Sequence, residues 1–320
     1  MTEMLKTSQT PTVLITGGAG FIGSHTVERL LELDIRVRVL DNLSTGKRSN
    51  LDLDHPRLEL MEGDVRDRAL VKGVMAGVSH VVHLAAQVFT TASVEDPPAS
   101  ASHNIMGFVN VLHTAKEAGV KRFVYASSVA VYGNPAEIPS TEDSPLAPLS
   151  PYGLEKRTNE DYAALYGGLF GFASIGLRLS NVYGPRQDPS SPYSGVISQF
   201  VRKLWERQPL TLYGSGEQTR DFVYLGDVAN TIVTALASDY HGICNVGRGE
   251  PISLLQLIDA LAEIAGHRPE VLRLPRRAGD ILHSVVDPSR LRKTLGVVPA
   301  ISFKEGLRLL WNATAQVTPG

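Results

Sequence analysis

The sequence predicts an α/β chain: a doubly wound parallel sheet followed by a smaller C-terminal α/β lobe. Three observations carry this. Short β-branched runs alternate with longer helical patterns through the first half, the signature of parallel strands joined by crossover helices. A glycine-rich turn, Gly17-Gly18-Ala19-Gly20-Phe21-Ile22-Gly23, follows the first run directly and leads into an amphipathic helix. After about residue 180 the texture changes. Pro and Gly cluster at Tyr183–Pro192 and again at Leu274–Gly279, and helical segments are separated by irregular connections.

Taken in order, the predicted strands are Thr12–Thr16, Arg36–Asp41, Leu58–Glu62, His80–Ala85, Arg122–Ser127 and Ala173–Arg178. Apolar residues three and four apart mark the intervening helices, as in Val27, Leu30, Leu31 and in Val109, Leu112, Ala115. The first helix is expected from Ser24. Beyond residue 180 the helical segments are Val196–Gln208, Val228–Ala237, Leu254–Ala265 and Phe303–Asn312. The division falls at 1–180 and 181–320, with the strand-like Cys244–Val246, within 240–248, as a candidate to rejoin the first sheet. No internal repeat or low-complexity tract interrupts this plan.

Composition narrows the function classes. At 320 residues and 34.6 kDa the chain holds one large or two modest domains. Its 43% hydrophobic, 20% charged and 7% aromatic content suits a globular core and excludes disorder. Lys and Arg number 31 against 33 acids, so no basic excess steers the chain to nucleic acid or an anionic membrane. The single Cys244 excludes an internal disulfide or a Cys-rich metal site and suits a reducing compartment. Met1–Pro11 is polar, without a signal-peptide apolar stretch, and no run approaches the ~18 apolar residues of a membrane helix. These features lead to the expectation of a soluble, cytoplasmic protein.

Two constellations carry chemistry. The first is the glycine turn, where the backbone can approach a pyrophosphate at the helix N-terminus. A second strand ends in Asp41, 18 residues after Gly23, where an acid would hold ribose hydroxyls and repel a 2′-phosphate. This favours NAD over NADP. The second is Ser127-Ser128 at a strand end, followed by Tyr152-Gly153-Leu154-Glu155-Lys156. Ser150-Pro151 reads as a helix N-cap with Pro at the first helical position, and Tyr152 and Lys156, four apart, share a helix face. A phenol ordinarily titrates near pH 10. A neighbouring ammonium and a positive nicotinamide would bring it into range as a base.

The segments TGGAGFIGSH, DNLSTG, GDVRD, HLAAQ, SSVAVYG, SPYGLEK, NVYGPRQDP, GEQTRDFVY and RRAGD resemble the extended short-chain dehydrogenase/reductases, and within them the NAD-dependent nucleotide-sugar 4-epimerases. The likeness covers nearly the whole chain. It implies a Rossmann domain over the first part and a nucleotide-sugar domain over the second. The cofactor cradle it implies comprises Gly17, Gly20, Phe21, Ile22 and Gly23, then Asp41, Asn42, Ser44 and Gly46. Asp64 and Val65 would lie against the adenine, and Leu84, Ala85 and Ala86 along the cofactor. Asn104 would position the cofactor or the catalytic helix, with Ser127 and Lys156 completing the set. Tyr152 would be the catalytic base, Lys156 would hold the nicotinamide ribose and depress the Tyr pKa, and Ser128 would bridge to the sugar hydroxyl. Asn181, Arg220, Arg277 and Asp280 would grip the nucleotide diphosphate and its ribose, alongside Val196. The resemblance also implies the reaction course: the C4 hydroxyl is oxidised to a 4-keto sugar, which swings over and is reduced on its other face.

Within that group the residues discriminate. Sister 4,6-dehydratases carry acids after the strand-end serine, and decarboxylases a Glu, whereas this chain has Val129, Ala130 and Val131. Sugar reductases would want a further proton donor, and Cys244 lies far along the chain. Ser284 stands where a bulky Tyr restricts the sugar pocket of some relatives, and its small side chain would admit a 2-N-acetyl group, with Gln187 as an amide partner. Phe89, in Val88-Phe89-Thr90-Thr91-Ala92, is a residue that would narrow the same pocket. UDP-sugars are thus the expected substrates, both UDP-GlcNAc/UDP-GalNAc and UDP-Glc/UDP-Gal. UDP-glucose-only or UDP-glucuronate 4-epimerisation, another NDP-sugar epimerase, or a non-catalytic dinucleotide sensor are the alternatives. Helices Ile105–Ala118 and Leu154–Leu169 correspond to those of a four-helix dimer interface in this family, implying a homodimer. His80 and His83, three apart on a strand, point to opposite faces and give no metal site. Asp227 reads as a helix N-cap, and Trp205, Tyr162 and Tyr166 as packing residues.

Overall fold

A computed structural model of the chain describes residues 11–188, 195–276 and 281–317. The first lobe runs β1 (Thr12–Thr16), α1 (Phe21–Glu32), β2 (Arg36–Asp41), β3 (Leu58–Glu62), α2 (Arg68–Val74), β4 (His80–His83), α3 (Thr90–Glu95), α4 (Pro97–Ala101), α5 (Gly107–Glu117), β5 (Arg122–Ser128), α6 (Pro151–Phe170) and β6 (Ser174–Leu179). There follow β7 (Asn181–Tyr183), α7 (Val196–Trp205), β8 (Leu210–Tyr213), β9 (Thr219–Tyr224), α8 (Leu225–Leu236), β10 (Gly242–Val246), β11 (Pro251–Ser253), α9 (Leu254–Ala265), β12 (Val271–Leu274), β13 (His283–Ser284), α10 (Ser289–Leu295) and α11 (Phe303–Val317).

Seven strands form one parallel sheet in the order β10-β6-β5-β4-β1-β2-β3. Alternation along each strand feeds two layers. Val13 and Ile15 of β1 join Val27, Leu30, Val228, Ile232 and Leu291 on one face. Leu14 joins Val71, Phe108, Val111, Leu112 and Phe123 on the other. Helices therefore cover both faces; the central β1 is nearly all buried, while the edge strand β3 carries acidic residues among its apolar ones. Two later segments pack with this lobe: α8 lies in the first layer, and β10 pairs with β6 at the sheet edge. The second lobe gathers Phe200, Leu204, Leu212, Phe222, Leu261 and Leu307 around β7, β9, β11 and β13 and the β8–β12 pair. Trp205 meets Trp311 edge-on there, with ring centroids 5.0 Å apart.

Several boundaries differ from the sequence reading for identifiable reasons. The first helix starts at Phe21, because the turn of Gly17–Gly20 is already closed by Gly20 N–H donating to Gly17 O (3.2 Å). Helix α8 starts at Leu225, so Asp227 sits inside the first turn and is not the N-cap. Its carboxylate instead accepts from Ala300 N and Ile301 N, both 3.0 Å, and ties down the segment before α11. A π-helical turn, Ser102–Met106, precedes α5 and buries Asn104.

Candidate active site

In the seven-stranded sheet the chain moves outward from β1 through β2 and β3, then crosses to β4 and continues the other way. The crevice at the C-terminal ends of β1 and β4 is the topological switch point, where open α/β sheets bind ligands. The turn after β1 requires glycine twice. Gly17 has φ +73°, and a Cβ there would lie 2.7 Å from Ala85 N, in the loop after β4. At Gly23 a Cβ would lie 2.1 Å from Gly17 O. Gly20, the N-cap of α1, contributes no capping side chain, so the first-turn N–H groups of Phe21, Ile22 and Gly23 await an external acceptor.

Asp41 ends β2, buried, with Oδ2 accepting from Ala19 N (2.9 Å) and Oδ1 from Leu43 N (2.8 Å). Burial raises its pKa, against the lowering effect of those two N–H groups. A carboxylate has about four acceptor positions, so hydroxyl groups can still be received. The following loop folds back on the turn. Asn42 Oδ1 accepts from Ser44 N and Oγ, and a Cβ at Gly46 would come within 2.9 Å of Asp41 Oδ1. Asn42 Nδ2 donates to Asp64 (3.0 Å). The Arg66 guanidinium hydrogen-bonded to Asp64 holds that carboxyl well below the usual range. Val65 packs against Gly107, where a Cβ would come within 2.7 Å of the valine. Leu84, Ala85 and Ala86 follow β4, half-buried, beside Gly17. An uncapped helix terminus, close-approach glycines and an acid at the neighbouring strand end match the diphosphate and ribose of a dinucleotide.

Helix α6 carries the second constellation. Ser150 is its N-cap, accepting from Gly153 N (3.1 Å), and Pro151 opens it, as the sequence predicts. Ser93 Oγ accepts from Tyr152 N (3.2 Å), so a second serine steadies the same turn. Lys156 Nζ lies 5.7 Å from the Tyr152 ring centroid and donates to Ala126 O at 2.9 Å. Burial pushes the Tyr152 phenol up to about 12, against the lowering hydrogen bond with Ser128, and the Glu155 charge adds to the rise. Burial brings the Lys156 ammonium down to about 8, while the Glu155 and Glu160 charges resist. The phenol thus stands above its ordinary value rather than below it. Desolvation dominates, and one of the three ammonium donors goes to the Ala126 carbonyl.

The two strand-end serines part company, because successive strand residues face opposite ways. Ser128 meets Tyr152, whereas Ser127 Oγ donates to Glu160 Oε1 (2.5 Å) in a buried network with Arg178. Asn104 reaches helix α6 through Glu155 Oε2 (2.6 Å) and clamps both backbone groups of Gln87 at 2.8 Å each.

On the second-lobe side, Asn181 Nδ2 donates to Asp221 O (3.1 Å), and Gln187 Oε1 accepts from Ser198 Oγ (3.0 Å) next to Val196, which opens α7. Arg220 pairs in register with Ser284 across β9 and β13, and its Nη1 donates to Thr219 O (2.8 Å). Arg277 and Asp280 lie outside the described residues. His83 is buried and hydrogen-bonded to Thr16 Oγ1 (2.9 Å), and burial lowers its pKa to about 3. No helix among the described residues is long and apolar enough to cross a membrane.

Sequence reasoning passed over Glu155, Glu160, Arg178 and Ser93, all buried at this site. An arginine inside the otherwise apolar run Ile175–Leu179 is the available signal for Arg178, since a buried charge demands a partner. Glu160 lies four residues beyond Lys156 on the same face.

Comparison with known proteins agrees with this geometry. Residues 13–247 match the family model described as the NAD dependent epimerase/dehydratase family. The chain is 40% identical over 302 residues to a putative UDP-glucose 4-epimerase of Methanocaldococcus jannaschii, covering 94% of this chain and 97% of the relative. Among solved structures, the UDP-glucose 4-epimerase of Thermus thermophilus in complex with NAD superposes with a TM-score of 0.89 at 39% identity, covering 96% of this chain and all of that one. The UDP-N-acetylglucosamine 4-epimerase of Methanobrevibacter ruminantium, in complex with UDP-N-acetylmuramic acid, gives a TM-score of 0.94 at 33% identity, covering 97% and 100%. Its cradle and its relatives together make this chain a member of the NAD dependent epimerase/dehydratase family, with NAD as its cofactor.

Proposed function

We propose that the chain is a nucleotide-sugar 4-epimerase that inverts C4 of UDP-hexoses, interconverting UDP-GlcNAc with UDP-GalNAc and UDP-Glc with UDP-Gal. The observation that carries the reading is the Tyr152 phenol ring, centred 5.7 Å from Lys156 Nζ on one helix face, with the Ser128 hydroxyl favouring its ionised form. Val129–Val131, next to it, bring no second acid. That inventory suffices for moving one proton on and off a hydroxyl and lacks the extra acid an elimination needs. The relatives' names support the same reaction.

Tyr152 accepts the C4 hydroxyl proton, Ser128 bridges phenol and hydroxyl, and Lys156 holds the nicotinamide ribose and steadies the phenolate. NAD, when bound, supplies the hydride acceptor for sugar C4 and a positive charge beside the phenol. The first-turn N–H groups of α1 receive its diphosphate and Asp41 its ribose. Asn181, Arg220, Arg277 and Asp280 grip the UDP moiety. Ser284, in register with Arg220, leaves the pocket open for an acetamido group. The exposed apolar residues Leu154, Leu165, Leu169 and Phe170 of α6, with Met106 before α5, support a homodimer through these helices.

The test incubates UDP-GlcNAc and UDP-Glc separately with purified protein and quantifies the C4 epimers by proton NMR. Both epimers are expected, and Tyr152→Phe is expected to keep NAD and lose about 10²–10⁴-fold in turnover. Turnover of UDP-Glc alone makes Phe89 the limiting wall. An undiminished Tyr152→Phe variant removes the phenol from its role.

A further inference from the structure

Asp221 follows Arg220 on β9 and is buried, and the proposed reaction makes no use of it. Its carboxylate is met by backbone N–H groups. Oδ1 accepts from Arg248 N (2.9 Å), and Oδ2 accepts from Gly249 N (3.0 Å) and, at greater length, from Val286 N (3.5 Å). The Arg248 guanidinium goes elsewhere, to Glu250 and to the carbonyls of Pro299 and Ile301. Gly247 lies so close that a Cβ there would stand 2.4 Å from Asp221 Oδ2. The Asp221 carbonyl is engaged as well, accepting from Ser180 Oγ (2.7 Å) and Asn181 Nδ2 (3.1 Å).

These partners come from separate parts of the chain. Ser180 and Asn181 continue β6 into β7, and Gly247–Gly249 continue β10; β6 and β10 are paired neighbours at the edge of the seven-stranded sheet. Val286 lies two residues past Ser284 of β13, the strand that pairs with β9 at Arg220. One residue therefore ties the edge of the first sheet to the three strands bearing Asn181, Arg220 and Ser284. Ladder hydrogen bonds alone are a weak mount for these strands. β7 has three residues and β13 two, against about 5–6 in an ordinary strand.

We infer that Asp221 is a positioning residue for the grip on UDP, fixing the Asn181 amide, Arg220 and the strand of Ser284 relative to the first sheet. The inference rests on the epimerase reading above. With one N–H given to Asp221 O, the Asn181 amide keeps its Oδ1 and its other N–H for the nucleotide. An asparagine at 221 could not replace the acid. Only one of its two terminal atoms accepts, so its NH2 would oppose a backbone N–H in either orientation and leave that buried donor unpaired. The UDP moiety is remote from sugar C4, so its grip is the same before and during the reaction. Loosening it raises KM and leaves kcat in place.

The experiment compares the NAD-loaded parent, Asp221→Asn and Ser180→Ala by calorimetric titration with UDP and by kcat and KM for UDP-Glc. Asp221→Asn is expected to weaken UDP binding and raise KM by roughly 10–100-fold, the worth of a hydrogen bond to a charged group, with kcat and bound NAD parental. Ser180→Ala removes one donor to the Asp221 carbonyl and leaves the carboxylate untouched. It is expected to act in the same direction by roughly fivefold, the worth of one neutral hydrogen bond, and it decides the matter if Asp221→Asn fails to fold. Parental UDP affinity in either folded variant overturns the inference. A joint fall in kcat, bound NAD and UDP affinity also overturns it, since a general loosening of the fold does the same. A parent that binds no UDP is a different result: it defeats the epimerase reading itself.

Discussion

Replacing Lys156 with methionine is expected to stabilise the fold at neutral pH while ending turnover. The ammonium ordinarily titrates at 10.5 and here at about 8, because burial disfavours its charge. At 1.36 kcal/mol per pH unit, that difference makes the charged side chain cost the fold about 3 kcal/mol at pH 7. The sign follows from proton counting. Between pH 8 and 10.5 the unfolded chain keeps the proton that the folded chain has lost, so stability rises with pH across this window. Below about pH 8 the cost is present in full, and above 10.5 it is gone. Methionine matches the length of the stem but abandons the hydrogen bond to Ala126 O, a loss of about 1 kcal/mol. Urea unfolding of parent and variant, compared at each pH, isolates the effect. The variant should be about 2 kcal/mol more stable at pH 7 and about 1 kcal/mol less stable at pH 10.5. A stability difference that stays the same at both pH values refutes the reasoning, as does a variant destabilised at pH 7.

Three further substitutions probe the glycine turn, the buried ion pair and the sugar pocket. Gly23→Ala drives a Cβ to 2.1 Å from a backbone oxygen that cannot yield; it should cost roughly 1–3 kcal/mol in urea unfolding and strip NAD from the purified protein. Arg178→Met leaves the buried Glu160 charge uncompensated and should destabilise by roughly 3–5 kcal/mol, whereas the double variant with Glu160→Met recovers most of that loss in the same measurement. Ser284→Tyr should lower kcat/KM for UDP-GlcNAc by roughly 10–200-fold relative to UDP-Glc, the range over which pocket size discriminates between substrates.

What was legible in the sequence followed from local physics. The strands of the first sheet are short β-branched or alternating runs, and the glycine turn, Asp41 and the Ser150-Pro151 helix start each declare themselves within a few residues. Elements whose place depends on distant partners were harder to read. Helix α8 belongs by sequence to the second half, yet Val228 and Ile232 pack in the first lobe. Asp227 carries the signature of a cap, but its ligands are backbone groups about seventy residues away. Ser127 and Ser128 look interchangeable until the strand's pleat sends one to Glu160 and the other to Tyr152. Glu155 is an acid in a helix, a pattern that usually means solvent, and only the π-helical turn bringing Asn104 inward explains its burial.

The proposed inversion of C4 proceeds by transient oxidation, with Tyr152 moving the hydroxyl proton and the C4 hydrogen returning to the sugar as hydride. Turnover of UDP-Glc and UDP-GlcNAc in deuterium oxide, followed by proton NMR at C4, tests it most directly. C4 epimers that retain protium at C4 are expected from the parent and not from Tyr152→Phe. Solvent deuterium at C4, or a dehydrated sugar in place of the epimer, would contradict it.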